Sequence, residues 1–210
     1  MEQAWLQFEE VTKVYPGVRA LDGVSFGVRG GSVHALLGEN GAGKSTLLKI
    51  LSGAQLPTSG TLRVGSQEVV FRSTAQALRA GVAVIYQELH LVPQLSVAEN
   101  LYLGHLPTSG GVIRRSALHA RAAAQLRRVG ESIHPRTQVA RLSIGQRQMV
   151  EIAKALSWES GDAEAREGTG GAARILAFDT PTSSLSAREI TKLFQVLGEL
   201  KKQGCAILYV

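Results

Sequence analysis

The residues with the clearest chemical meaning form a glycine-rich turn followed by a lysine and a hydroxyl residue. The pattern Gly-x-x-x-x-Gly-Lys-Ser runs from Gly38 to Ser45. Glycines let the backbone turn so that successive N–H groups point at a phosphate, and a helix that starts there adds its positive N-terminal dipole. Lys44 supplies charge to the β- and γ-phosphates, and the Ser45 hydroxyl is a ligand for Mg²⁺. The pattern predicts a nucleoside triphosphate site.

Asp179 is a second candidate for the same site. It directly follows the apolar run Ile175–Phe178, which is typical of a strand buried on both faces of a parallel sheet. An aspartate at the carboxyl end of such a strand completes the Mg²⁺ shell beside a phosphate-binding loop. We therefore expect Asp179 to bind the metal together with Ser45.

The elements that must position these residues alternate between strands and helices. The segment 44–52, after the glycine-rich turn, has helical spacing with an apolar face. This alternation is typical of an α/β fold with a largely parallel sheet. The predicted strands are Trp5–Tyr15, Val24–Val28, Val33–Leu37, Val82–Tyr86, Ile175–Phe178 and Ala206–Val210.

Two further segments have contrasting patterns. Ser116–Val129 is predicted to be an amphipathic helix that ends at Gly130. The residues on its apolar face are Leu118, Ala122, Leu126 and Val129. The segment 157–173 is rich in Gly, Ala, Glu and Thr without any apolar period, so we expect a mobile loop.

Composition excludes several classes of protein. The chain has 210 residues, 44% apolar and 19% charged, which is enough to bury a core and too few charges for disorder. No apolar run approaches the roughly 18 to 20 residues that span a bilayer. The single cysteine, Cys205, excludes an internal disulfide and suits a reducing compartment. We expect a soluble cytosolic protein.

Positive charge is concentrated in one window. The formal net charge is +6, yet residues 104–150 contain eight arginines and a single acid, Glu131, for a local charge of +7. Such a surface suits nucleic acid, anionic lipid or an acidic protein groove, and a solvated helix face is the simpler interpretation. The arginines are 114, 115, 121, 127, 128, 136, 141 and 147.

A third motif carries a family resemblance. Leu142–Gln146 reads Leu-Ser-Ile-Gly-Gln and precedes a helical pattern. It resembles the signature of the ATP-binding cassette proteins, Leu-Ser-Gly-Gly-Gln, with Ile144 in place of one glycine. The resemblance implies that the signature contacts the γ-phosphate of ATP held by the loop of another subunit, and a helix N-terminus with a hydroxyl suits an anion. The residues expected to do so are Leu142, Ser143, Ile144, Gly145 and Gln146.

The same resemblance implies roles for other positions. Tyr15 matches the aromatic residue that stacks on adenine, and Gln87 matches the glutamine that reaches Mg²⁺ and the attacking water. Residues 183–186 match the loop that touches the opposite subunit. The catalytic positions implied are Lys44, Gln87, Asp179 and Thr180, and Mg²⁺ ligands are Ser45, Gln87 and Asp179. The loop residues expected to contact ATP are Gly38, Glu39, Asn40, Gly41, Ala42, Gly43, Lys44, Ser45 and Thr46.

Four longer segments are similar to monosaccharide importers of this family: 85–93, 97–104, 148–156 and 181–190. The resemblance implies a phosphate-loop NTPase fold of the cassette type, with a mostly parallel core sheet, an N-terminal antiparallel β subdomain and a helical subdomain at about 95–157. It implies that ATP binding and hydrolysis energise import of a pentose or other monosaccharide, with arabinose favoured. The implied partners are a second nucleotide-binding domain, a membrane permease and, indirectly, a periplasmic sugar-binding protein, with the chain on the cytoplasmic face of the bacterial inner membrane.

Three features depart from the family pattern. Thr180 stands where family members carry the glutamate that polarises the attacking water. Gln146 and Asp179 are 33 positions apart, a longer spacing than in the family, and the surplus coincides with 157–173. The chain ends at Val210, before the family's histidine switch and second tandem cassette, so we expect a single incomplete cassette over 1–210.

These departures leave alternatives open. Thr180 favours a hydrolysis-deficient cassette whose bound ATP stabilises a dimer, and all three departures also suit a non-functional gene fragment. A cassette ATPase acting on nucleic acid would use the basic window. Chromosome-maintenance members place a long coiled coil between loop and signature, whereas the 99 positions from Lys44 to Ser143 contain no heptads, so we expect no nucleic acid partner.

Overall fold

The computed structural model describes residues 4–157, 175–179 and 185–210. These residues divide into two compact units, the first made of 4–86, 175–179 and 198–210 and the second of 87–157 and 185–197. Within these ranges, no helix is both long enough and apolar enough to cross a membrane.

Strands and helices alternate along the chain. The strands are β1 (Ala4–Tyr15), β2 (Val18–Arg29), β3 (Ser32–Ala35), β4 (Ser59–Val64), β5 (Gln67–Val69), β6 (Val82–Ile85), β7 (Thr108–Ser109), β8 (Val112–Ile113), β9 (Ile175–Phe178) and β10 (Ala206–Tyr209). The helices are α1 (Lys44–Leu51), α2 (Thr74–Arg79), α3 (Val97–Leu101), α4 (Arg115–Arg128), α5 (Ile144–Ser157) and α6 (Ala187–Lys202), and a 3-10 turn spans Val139–Arg141.

The first unit contains an antiparallel sheet in the order β2-β1-β4-β5. Its strand β2 begins at Val18, earlier than the predicted Val24, because Gly23 forms a bulge and does not end the strand. Gly23 has a φ of +58° and donates its N–H to the Thr12 hydroxyl at 3.0 Å, where the register between β1 and β2 shifts. A glycine in this conformation inside a strand is typical of a bulge.

A second sheet in this unit has the order β3-β10-β9-β6, with every pair parallel. All four residues of β9 are buried, which confirms the prediction of a strand covered on both faces. β10 lies in the interior of the sheet and pairs with β3 on one side and β9 on the other. Because the strands are parallel, their carboxyl ends, and the segments that follow them, lie at one edge.

One hydrophobic core joins both sheets to α1. Leu47, Leu48, Ile50 and Leu51 of α1 are buried, as the helical spacing predicted. They pack with Phe8 of the antiparallel sheet and with residues of β6, β9 and β10. The helix that follows the glycine-rich turn is therefore held on both sides by strands. The expected α/β fold with an N-terminal antiparallel sheet is confirmed.

The second unit is mainly helical. The predicted apolar face of α4 is confirmed, since Leu118, Ala122, Leu126 and Val129 are each at most 2% exposed. Sequence patterns did not identify the five-residue helix α3 or the hairpin β7–β8, because elements this short show no periodicity. The predicted loop 157–173 lies outside the described residues except for Ser157. That residue was wrongly assigned to the loop, because it ends α5, is buried and donates its hydroxyl to Leu101 O at 2.9 Å.

Candidate nucleotide-binding site

The glycine-rich turn lies between β3 and the N-terminus of α1, in the first unit. Its residues 38–42 are exposed, and Gly41 and Gly43 have φ values of +87° and +88°. These left-handed conformations are inexpensive only for glycine. Gly43 precedes α1 directly, and no side chain caps this end of the helix. The first N–H groups of α1 therefore remain available to an anion.

Gly43 also lies close against the antiparallel sheet. A Cβ atom at this position would overlap the carbonyl oxygen of Ala20 and lie 2.8 Å from Leu21 Cδ2, both in β2. Around Gly41, by contrast, the space within 4 Å of such an atom is open. Gly43 is thus required by both its conformation and its packing, whereas Gly41 is required by its conformation alone.

Lys44 is held over the turn by the turn itself. Its Nζ donates to Gly38 O at 2.8 Å and to Glu39 O at 2.7 Å. An ammonium has three N–H donors, so these two bonds leave one for a phosphate oxygen. The arrangement holds the positive charge beside residues 38 and 39 of the turn.

Ser45 and Asp179 are the two candidate Mg²⁺ ligands that lie in the first unit. Ser45 is exposed on the first turn of α1, and Asp179 follows β9, its N–H donating to Ile85 O at 2.9 Å. β10 separates β3 from β9, so the strands leading to the two residues are about 10 Å apart, two strand spacings. A hydroxyl and a carboxylate are ligands that Mg²⁺ prefers, and together with uncapped N–H groups and Lys44 they fit a magnesium–nucleotide. Thr180 lies outside the described residues.

Tyr15 ends β1 and is fixed by two neighbours. Its hydroxyl donates to Gln55 Oε1, and Lys13 Nζ lies 5.3 Å from its ring centroid. Lys13 Nζ also donates to Leu56 O at 2.7 Å, so the segment after α1 is bonded twice to the end of β1. The ring is half-buried and its orientation is set, as a stacking surface requires. Sequence patterns carried no signal for Gln55, which lies 40 positions away.

Tyr86 connects the end of β6 to the end of α1. Its hydroxyl donates to Ser52 Oγ at 2.6 Å. Burial raises the pKa of Tyr86, and the nearby Asp179 carboxylate raises it further, against the lowering effect of the Ser52 bond. The phenol therefore stays neutral and acts as a hydrogen-bond donor at neutral pH.

In the second unit, Gln87 is exposed two positions beyond β6, at the start of a segment that leads to α3. Asn100, fully buried in α3, accepts from Val92 N–H at 2.7 Å and donates to Val92 O and Ser96 O at 3.0 Å. Lys154 of α5 donates to His90 O at 2.8 Å. The segment after Gln87 is thus bonded to both α3 and α5.

The signature-like residues form the start of α5. Ser143 Oγ accepts from Gln146 N–H at 3.2 Å, and Gln146 Oε1 accepts from Ser143 N–H at 3.0 Å, a reciprocal cap. Leu142 and Gly145 are buried, whereas Ile144 is 56% exposed. The isoleucine that replaces a glycine of the family pattern is accommodated because its side chain is largely in solvent.

Arg147 differs from the other arginines of the basic window. Its Nε donates to Val139 O at 3.2 Å and its Nη2 to Ala140 O at 3.0 Å, so it binds the 3-10 turn that leads into the signature. The seven others are exposed, as a solvated surface requires. Glu131, the window's one acid, is bound by Lys192 of α6 at 2.8 Å. Its charge is compensated there, so the exposed surface is dominated by arginine.

Replacing Arg147 with methionine is expected to lower the free energy of unfolding by about 1–3 kcal/mol, because hydrogen bonds from a charged donor to two carbonyls are lost. Urea denaturation followed by circular dichroism measures the change. Arg136→Met, at an exposed position of the same window, is the control and is expected to change stability by less than about 0.5 kcal/mol. Equal losses in both variants would contradict the positioning of the signature turn by Arg147.

Known proteins are similar to this chain in sequence and in fold. The family described as ABC transporter matches residues 21–161. The arabinose import ATP-binding protein AraG of Pseudomonas fluorescens (strain Pf0-1) is 56% identical over 205 residues, and AraG of Escherichia coli O6:H1 is 56% identical over 206 residues. Both alignments cover 98% of this chain, which spans little more than a third of each relative, 37% and 38%.

Solved structures share the fold. CbiO1 from Clostridium perfringens, part of the ABC transporter complex cbiONQ, has a TM-score of 0.77 over 99% of this chain and 78% of its own, at 24% identity. A nucleotide-free ATP-binding cassette from an ABC transporter has a TM-score of 0.79 over 98% of this chain and 80% of its own, also at 24% identity. Since the family match covers most of the sequence, the chain belongs to the ABC transporter family.

Proposed function

We propose that this chain is an ATP-binding part of a bacterial sugar importer, and that its ATP drives import of a monosaccharide, with arabinose favoured. The observation that carries the proposal is the glycine-rich turn before the uncapped N-terminus of α1. Lys44 is hydrogen-bonded to this turn, and Ser45 and Asp179 are candidate oxygen ligands. Arabinose as the sugar is supported only by the names of the AraG relatives, because a cassette of this kind does not have to contact the sugar.

Each part of the site would then have a chemical task. The N–H groups of residues 38–46 and Lys44 would hold the phosphates, Tyr15 would stack on the adenine, and Ser45, Asp179 and Gln87 would hold Mg²⁺. Bound Mg²⁺ would neutralise charge on the β- and γ-phosphate oxygens. The signature Ser143 and Gly145 would contact ATP bound to a second cassette.

Import would follow from differential affinity. ATP that binds the closed pair of cassettes more tightly than the open pair shifts the equilibrium toward closure, and the change would be transmitted to a membrane permease. The arginine-rich surface would lie toward that permease or the lipid surface, at the cytoplasmic face of the membrane. A sugar-binding protein outside the membrane would act through the permease.

A second candidate function is favoured by Thr180. A cassette that lacks the carboxylate base would bind ATP and stabilise the closed pair without hydrolysing it. The binding residues Lys44, Ser45 and Asp179 are all present, so nucleotide affinity does not depend on this difference.

Titration of the purified chain with a fluorescent ATP analogue and Mg²⁺ tests the proposal. We expect saturable binding that Lys44→Ala weakens by about 10- to 100-fold, the loss of a charge-assisted phosphate contact. Lys49→Ala, exposed on the same helix, is the matched control and is expected to bind as the wild type does. Absence of binding in the folded wild-type chain, or equal binding by Lys44→Ala, would overturn the proposed function.

A further inference from the structure

Two helices of the second unit meet at their N-termini, and each begins with a reciprocal cap. α5 starts with the Ser143–Gln146 pair described above. At α6, the hydroxyl and the backbone N–H of Ser186 donate to Glu189 Oε2 at 2.7 and 2.9 Å. Glu189 N–H lies 3.4 Å from Ser186 Oγ and completes the cap.

The Glu189 carboxylate lies directly against Gly145. A Cβ atom on Gly145 would overlap Glu189 Oε1 and the carboxyl carbon, and would lie 2.8 Å from Oε2. Gly145 is buried, and its φ is outside the left-handed region, so its backbone conformation does not require glycine. The carboxylate of Glu189 therefore occupies the space that a side chain at position 145 would need.

The two carboxylate oxygens have different neighbours. Oε2 accepts both bonds from Ser186, whereas Oε1 faces Gly145. A residue that only capped α6 would need one of these oxygens. The Ser186 bonds lower the pKa of Glu189, so the carboxylate is charged at neutral pH, where the positive ends of both helices favour it.

We propose that Glu189 is a positioning residue that joins the signature turn to the start of α6, and that Gly145 is glycine in order to receive its carboxylate. The contact links the signature turn, residues 143–146, to Ser186 and Glu189 at the start of α6. The consequence for nucleotide contacts between two cassettes rests on the proposed function, whereas the contact itself does not.

A double-mutant cycle on the full chain tests the contact. Gly145→Ala is expected to lower the melting midpoint by about 2–4 °C in the wild-type background, because the methyl group displaces the Glu189 carboxylate from Ser186 and so removes a cap worth about 1 kcal/mol. In the Glu189→Ala background the same substitution is expected to be neutral or stabilising, since alanine is the better helix former. Equal shifts in both backgrounds would overturn the proposal. If Gly145→Ala alone does not fold, folding of the double variant supports the proposal and its failure to fold overturns it.

A second measurement separates positioning by Glu189 from a general effect of removing acidic charge from α6. Association of two copies driven by Mg²⁺ and ATP, followed by analytical ultracentrifugation, is expected to weaken about fivefold or more in Glu189→Ala. Glu189→Gln, which keeps the size and the acceptor oxygen, is expected to restore it. Glu199→Ala removes an exposed carboxylate from the same helix and leaves the contact between Glu189 and Gly145 unchanged, so an equal loss in this control would overturn the proposal.

The two measurements also distinguish this inference from the proposed function. One outcome is that Gly145→Ala lowers the melting midpoint only when Glu189 is present, while the wild-type chain does not bind or respond to nucleotide. The proposed function then fails and the contact between Glu189 and Gly145 stands. If the wild type associates with ATP and Glu189→Ala associates equally well, the positioning role is overturned while the proposed function stands.

Discussion

Replacing Thr180 with glutamate is expected to raise the rate of ATP hydrolysis by about 10²–10⁴-fold, the range that a positioned general base contributes. The position directly follows Asp179, at the carboxyl end of a buried strand in the parallel sheet. The threonine hydroxyl cannot accept a proton from water at neutral pH, whereas a carboxylate can. Phosphate release by the chain, at concentrations where two copies associate with Mg²⁺ and ATP, measures the effect.

The matched control for this substitution is Thr180→Gln, which has the size of glutamate and no basic group. It is expected to leave hydrolysis at the wild-type rate, and nucleotide affinity is expected to stay similar in all three proteins. An increase in both variants would show that side-chain size, and not a base, limits the reaction. No increase in either variant, with binding intact, would mean that the missing base at position 180 is not what limits hydrolysis.

Gly43→Ala is expected to lower the free energy of unfolding by about 3–5 kcal/mol, since it adds a strained backbone conformation to a steric overlap. The φ of +88° alone costs about 1–2 kcal/mol for a residue with a Cβ atom. The added methyl group would also overlap the Ala20 carbonyl and push the turn away from β2. Urea denaturation without nucleotide measures the loss.

Gly41→Ala is the matched control, because Gly41 has nearly the same φ and open space around it. Its free energy of unfolding is expected to fall by only about 1–2 kcal/mol, which is the cost of the left-handed backbone conformation. The difference between the variants isolates the contact between the glycine-rich turn and the antiparallel sheet. Equal losses would mean that β2 does not constrain the turn.

Several features of this chain were predictable from local patterns alone. The turn at 38–45, the strand Ile175–Phe178 and the apolar face of α4 were each predicted from neighbouring residues, because periodicity and glycine placement act over a few positions. The caps at Ser143 and Ser186 were also readable in principle, as a serine followed three positions later by Gln or Glu. The family was predicted from the resemblance of motifs to those of known proteins, and the family match over residues 21–161 confirms it.

The limits of β2 and α5 were harder to predict, because tertiary contacts overrode the local signal. The predicted strand began at Val24, whereas Gly23 is a bulge inside β2 supported by Thr12. Ser157 was assigned to the predicted loop and is buried against α3. Neither partner is close in sequence. A hydrogen bond across the fold decides such boundaries, and local propensity does not.

By itself, the sequence determined the chemistry of the candidate site: which residues can bind phosphate, which can bind Mg²⁺, and that Thr180 cannot replace a carboxylate. Only the tertiary structure decided how these residues are held. Gln55 fixes Tyr15, Arg147 binds the turn before the signature, and Glu189 occupies the space beside Gly145. Each of these contacts joins groups brought together by packing, and packing depends on the whole core and not on spacing along the chain.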